Sequence, residues 1–69
     1  MKKYRIGTLV KNDDTGVKTA TQREYESYGF AVATYEFLIT QEDVYVCTLE
    51  KKTLWGWGRW KVLREYRKK

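Results

Sequence analysis

The chain has no histidine, no proline, one cysteine and one methionine among its 69 residues. Each shortage removes a class of explanation. Without histidine there is no Cys/His zinc site, and the commonest general base of catalysis is missing. With Cys47 alone there is no intramolecular disulfide. The lack of proline, and of any Gly/Ser-rich tract, argues against linkers and disordered tails. No run of 18 apolar residues exists to span a membrane. Met1-Lys2-Lys3-Tyr4 leads into an alternating segment and not into the apolar stretch of a secretory leader. The expectation is a soluble cytoplasmic protein, its thiol suited to a reducing compartment, with no metal and no cofactor.

What remains must stabilise a small domain. Residues 1–69 are expected to form a single domain, with only 67–69 fraying at the end. A chain of this length buries about 60% of its unfolded surface and is marginal without help. Six tyrosines, three tryptophans and two phenylalanines offer that help as an aromatic core. Self-association is the other route.

Charge is distributed unevenly. From Lys51 to Lys69 there are eight cations against one carboxylate, Glu65, a net of +7; residues 1–50 net −2, and the whole chain nets +5. Such asymmetry points to an acidic partner: nucleic acid, an anionic surface or an acidic protein.

Taken in order, Tyr4, Ile6, Thr8 and Val10 alternate by twos and predict a strand. Asn12 to Gly16 reads as a turn, with asparagine and aspartate bonding their own backbone and Gly16 supplying a positive φ. Val17–Ala20 returns as a short strand. Thr21-Gln22-Arg23-Glu24 matches a capping box, and Gly29 stands where a left-handed C′ residue belongs, so a short helix is expected at about 22–28. A rival reading runs one long helix to Ile39, because Tyr25, Tyr28, Val32, Tyr35 and Ile39 repeat at 3-4-3-4 spacing. Gly29, which costs about 0.8–1 kcal/mol inside a helix, and the β-rich composition after it favour the short helix. Phe30–Thr40 then reads as a strand, Gln41–Asp43 as a turn and Val44–Leu49 as a strand apolar on both sides, hence central and covered on two faces. A last strand is expected at Trp60–Tyr66, although Trp60, Leu63 and Tyr66 also fit a helix. The fold class is α+β: an antiparallel β-meander of four or five strands with one short helix.

The segment Lys51–Arg59 joins the last two strands, and in it Trp55-Gly56-Trp57-Gly58 alternates a large ring with a bare backbone. Tryptophans flanked by Lys51, Lys52, Arg59 and Lys61 match the chemistry of single-strand binding, where bases stack on rings at about 1–3 kcal/mol each and cations track phosphates. Arg64 and Arg67 are the supporting members of this candidate site. The plain alternative is that the tryptophans form the core and the cations are a solvated face. No helix-turn-helix spacing, RNP-like aromatic motif or Gly-rich phosphate loop is present.

Catalysis is not expected. Asp13-Asp14 and Glu42-Asp43 sit in turns, where caps account for them; Ser27 has no evident base; Cys47 lies mid-strand, where cysteine acts as a small hydrophobe. The compactness and lack of catalytic groups are like those of many small accessory proteins of phages and mobile elements, a likeness of type that transfers no residue role. Three readings of the function stand side by side. The first is a nucleic-acid-binding module using the basic, Trp-rich C-terminal hairpin. The second is a regulator or inhibitor docking the same aromatic surface on an acidic patch of a larger protein. The third is a homodimer that uses that surface as its own interface. None of them involves a membrane.

Overall fold

The computed structural model describes residues 2–12, 14–53 and 59–68. Four strands and one helix follow one another as β1 (Tyr4–Lys11), β2 (Lys18–Tyr25), α1 (Tyr28–Leu38), β3 (Val44–Lys52) and β4 (Trp60–Arg67). The strands make a single antiparallel sheet in the order β2-β1-β3-β4. The fold class is therefore α+β, with a meander-like sheet. Because β1 is antiparallel to both of its neighbours, β2 and β3 run parallel on either side of it. The helix carries the chain between them, across one face of the sheet.

The first hairpin forms as its turn chemistry dictates. The Asp14 amide donates to Asn12 Oδ1 at 2.9 Å, the Gly16 amide donates to the Asn12 carbonyl at 2.7 Å, and Gly16 takes φ 73°. This is an Asx-type turn closed by the one residue that adopts positive φ without cost.

The helix is not at 22–28. Those residues are strand β2 as far as Tyr25, and the segment expected as a strand, Phe30–Thr40, is helical to Leu38. The capping-box threonine is used differently: Thr21 stands opposite Thr8, and their hydroxyls bond each other. A capping residue is worth about 1 kcal/mol, whereas Tyr4–Lys11 pairs along its whole length with Lys18–Tyr25 and gains a ladder of bonds each worth about as much. The ladder wins. The cap that operates is Ser27, whose Oγ accepts from the Phe30 amide at 3.3 Å, and Gly29 is a first-turn residue, not a C′ terminator. From Val32 onward the 3-4-3-4 spacing marks the true inner face, whereas Tyr28 is exposed. Tyr35 is buried and Val32 and Ile39 pack half-buried against the core, while Tyr25 reaches the same core from β2.

The core itself is small: Ile6, Ala31, Tyr35, Val44, Cys47 and Leu49. An extra residue at Tyr45, between the pairs Leu9–Val46 and Val10–Val44, bulges β3. The bulge brings Val44 to the side of Cys47 and Leu49, not of Val46 and Thr48 as strict alternation implies. The helix packs on β1 and β3 and at the margin of β2. The expectation that β3 is covered on two faces does not hold: Val46 and Thr48, facing away from the helix, are half-exposed. Among the described residues Tyr35 is the one buried aromatic, Tyr4, Tyr25 and Tyr66 pack half-buried against the core, and Phe30 and Phe37 are exposed; Trp55 and Trp57 lie outside the described residues. No helix among the described residues is long and apolar enough to cross a membrane.

Candidate functional site

Strand alternation divides the basic C-terminal stretch between the two faces of the sheet. Lys51 stands directly opposite Lys61 on the helix side, and Lys52 opposite Trp60 on the open side. Past them, the Thr53 amide and hydroxyl both donate to the Arg59 carbonyl, at 3.0 and 3.1 Å, which holds the base of the hairpin together. Trp55 and Trp57, in the connection that follows Thr53, lie outside the described residues.

The structure adds cations that charge counting by segment had assigned elsewhere. The Lys3 amide donates to the Tyr25 carbonyl at 3.1 Å, and the Lys3 carbonyl accepts from the Lys52 amide at 2.8 Å. The N-terminal Lys2 and Lys3 therefore lie at the same end of the sheet as Lys51, Lys52, Arg59 and Lys61. Among the described residues, none of these six is in an ion pair. The carboxylates nearby are Glu50, engaged by Arg5, and Glu26, just past β2. The signal that could have found this in the sequence is β1–β3 pairing, which sets residue 4 against residue 51.

The two supporting arginines are held differently. Arg64 Nη1 reaches Glu36 of the helix at 3.7 Å, and Arg67 bonds Glu65 on its own strand. Arg67 closes β4, and the Lys68 amide donates to the Tyr45 carbonyl at 2.8 Å, so both are tied to the sheet. The Lys68 ammonium stands 5.0 Å from the Tyr45 ring, and that of Lys11 5.6 Å from the same ring.

On the open face a second cluster is built around Arg5. Its guanidinium forks onto Glu50, with Nε donating to Oε2 at 3.1 Å and Nη2 to Oε1 at 2.9 Å, and it lies 4.4 Å from the Trp60 ring centroid. These bonds hold the guanidinium's proton still more firmly than usual. Gly7 leaves the neighbouring surface low: a Cβ there would stand 3.0 Å from Thr48 Oγ1. Trp60 is thus a structural ring with a cation already on it, while Tyr28, 5.3 Å from Tyr4 and exposed, is the aromatic presented at the cationic end.

Two buried groups complete the chemistry. Burial pushes the Cys47 thiol up to about 11, and burial raises the Tyr35 hydroxyl as well. Neither is an activated nucleophile. Among the described residues no group of three or more Cys, Asp or Glu side chains is placed to hold a metal ion. Comparison with protein-family models, with curated proteins and with solved structures finds no match to this chain.

Proposed function

We propose that this is a small, non-enzymatic, cytoplasmic nucleic-acid-binding protein that takes a single strand at the cationic end of its sheet. The observation that carries the reading is the gathering of Lys2, Lys3, Lys51, Lys52, Arg59 and Lys61 at that end without ion-pair partners among the described residues. Unpaired ammonium and guanidinium groups release condensed counterions when they meet phosphates, which is where most non-specific affinity arises. Trp55 and Trp57 sit in sequence between Lys52 and Arg59 and supply rings for base stacking.

The test is tryptophan fluorescence titrated with short thymidine and uridine oligonucleotides and with duplex DNA. Quenching by the single strands is expected, with affinity falling with salt at a log–log slope of about −0.7 per phosphate contacted. Absence of quenching at low salt with every oligonucleotide ends the proposal. A second reading, docking on an acidic protein surface, is favoured by exposed Tyr28 beside these cations, since tyrosine and arginine dominate protein hot spots. Under that reading Trp55→Ala and Trp57→Ala abolish one defined protein complex and leave the far-ultraviolet spectrum unchanged.

A further inference from the structure

The sheet has two edges, and they differ. At β4 the pairing with β3 skips Leu63, a bulge of the kind that turns an edge strand away from further partners. At β2 nothing interrupts the strand. Lys18–Tyr25 keeps one register against Tyr4–Lys11, has no proline or glycine in its eight residues, and is exposed at every position but Tyr25. A long, regular edge of this kind is a template for another strand.

The hairpin fixes which backbone groups of β2 are free. The Asn12 amide donates to the Val17 carbonyl, and the Lys3 amide donates to the Tyr25 carbonyl. The odd-numbered residues of β2 therefore bond towards β1. Bonding alternates along an antiparallel ladder, so Lys18, Ala20, Gln22 and Glu24 turn their amides and carbonyls outward.

We propose that β2 pairs with β2 of a second copy, antiparallel about a two-fold axis at Thr21, so that the two sheets become one. The four outward residues set the register. Their midpoint is Thr21, and an axis there sets Lys18 opposite Glu24 and Ala20 opposite Gln22 of the second copy, each pair occurring twice. An axis one residue to either side leaves Lys18 or Glu24 out of the set.

Charge identifies the occupant. The outward positions of β2 begin with a cation and end with a carboxylate, an order that complements itself when reversed, as an isologous contact requires. Residues directly opposed on a ladder share a face, and opposite charges there attract. Within its own protomer Lys18 faces Lys11, a like-charge pair, and Glu24 of the second copy supplies a carboxylate on its free side. The same axis sets Val17, which is 58% exposed, against Tyr25 of the second copy. None of the six cations of the proposed nucleic-acid end lies on β2, so this inference does not depend on that reading.

The experiment is sedimentation equilibrium of the full chain without nucleic acid, from about 10 µM to about 1 mM, a range suited to a weak dimer. A mass approaching twice 8.3 kDa is expected at the upper end. Lys18→Glu and Glu24→Lys each create two like-charge pairs across the axis and should each weaken the dimer about tenfold; the double variant, with the signs exchanged, should restore it. Urea midpoints at low concentration check that each protomer is intact. Thr21→Cys gives an independent readout. On the axis its Cα stands about 4.5 Å from its own copy, a non-hydrogen-bonded pair within disulfide reach, so mild oxidation should link two chains through position 21. Ala20→Cys, displaced from the axis, should not link. A monomeric mass up to about 1 mM overturns the proposal. So do dimers that neither charge reversal weakens, or that oxidation does not capture through position 21. The oligonucleotide titration is judged separately from all of these results.

Discussion

Individual side chains in this protein divide sharply between those the sheet buries and those it displays. Cys47 belongs to the first group. With 0% of its surface exposed, its thiolate has no water to stabilise it, so its pKa rises from an ordinary 9.0 to about 11. The folded state then holds the proton more tightly than the unfolded chain. Stability is fully present below about pH 9 and falls as pH rises towards 11, by about 2–3 kcal/mol in all. Urea titrations at about pH 8, 9.5 and 10.5 should show this loss, and a Cys47→Ala variant should lose that part of the pH slope. In the native protein at about pH 8 an aromatic disulfide reagent should fail to modify Cys47 until urea unfolds the chain. Arg5 is the displayed counterpart, engaged at once by Glu50 and by the ring of Trp60. Glu50→Gln keeps the shape and removes the charge, and should cost about 1–2 kcal/mol, read as a lower urea midpoint at unchanged slope.

At the scale of elements, the segment from Thr21 to Leu38 is where local preference and tertiary demand conflict. A capping box and a following glycine predict a helix ending at residue 28, and the helix instead begins there. Gly29 makes the difference measurable. As a left-handed C′ residue it would resist substitution. As an ordinary first-turn residue it should accept alanine, because the nearest atom an added methyl would meet is Ser27 Oγ, at 3.9 Å. Gly29→Ala is expected to stabilise the fold by about 0.5 kcal/mol, raising the melting temperature by about 2–4 °C. Ser27→Ala, removing the operating cap, should destabilise by about 1 kcal/mol. Thr21→Ala should cost no helix content in the far ultraviolet, because Thr21 bonds across the β1–β2 ladder and caps nothing.

The whole molecule is a one-sided sheet with Lys2, Lys3, Lys51, Lys52, Arg59 and Lys61 at one end and Lys11, Lys18, Arg67 and Lys68 toward the other. Lys51 and Lys61 face each other directly across β3 and β4, an arrangement that costs stability because like charges opposed in a sheet repel. Lys61→Glu should therefore stabilise the fold by about 0.5 kcal/mol while weakening oligonucleotide binding by about tenfold or more, with a smaller salt slope. Opposite signs for stability and binding would set this pair apart from an ordinary solvated face, where both change little.

The β1 strand, the Asn12–Gly16 turn and the β3 core run were legible in the chain, because strand composition and turn chemistry are local; the last strand was expected, but Trp60, Leu63 and Tyr66 fit a helix as well, and pairing with β3 decides for the strand. The burial of Cys47 was legible too, and so was the excess of positive charge from Lys51 onward. The identity of Phe30–Leu38 as helix was not legible. Its residues suit a strand by composition and a helix by spacing, and only the exposed apolar face of a four-stranded sheet, which needs a covering layer, decides between them. The same holds for the candidate site. Lys2 and Lys3 stand far from Lys51 and Lys52 in sequence, and only the pairing of β1 with β3 sets them side by side.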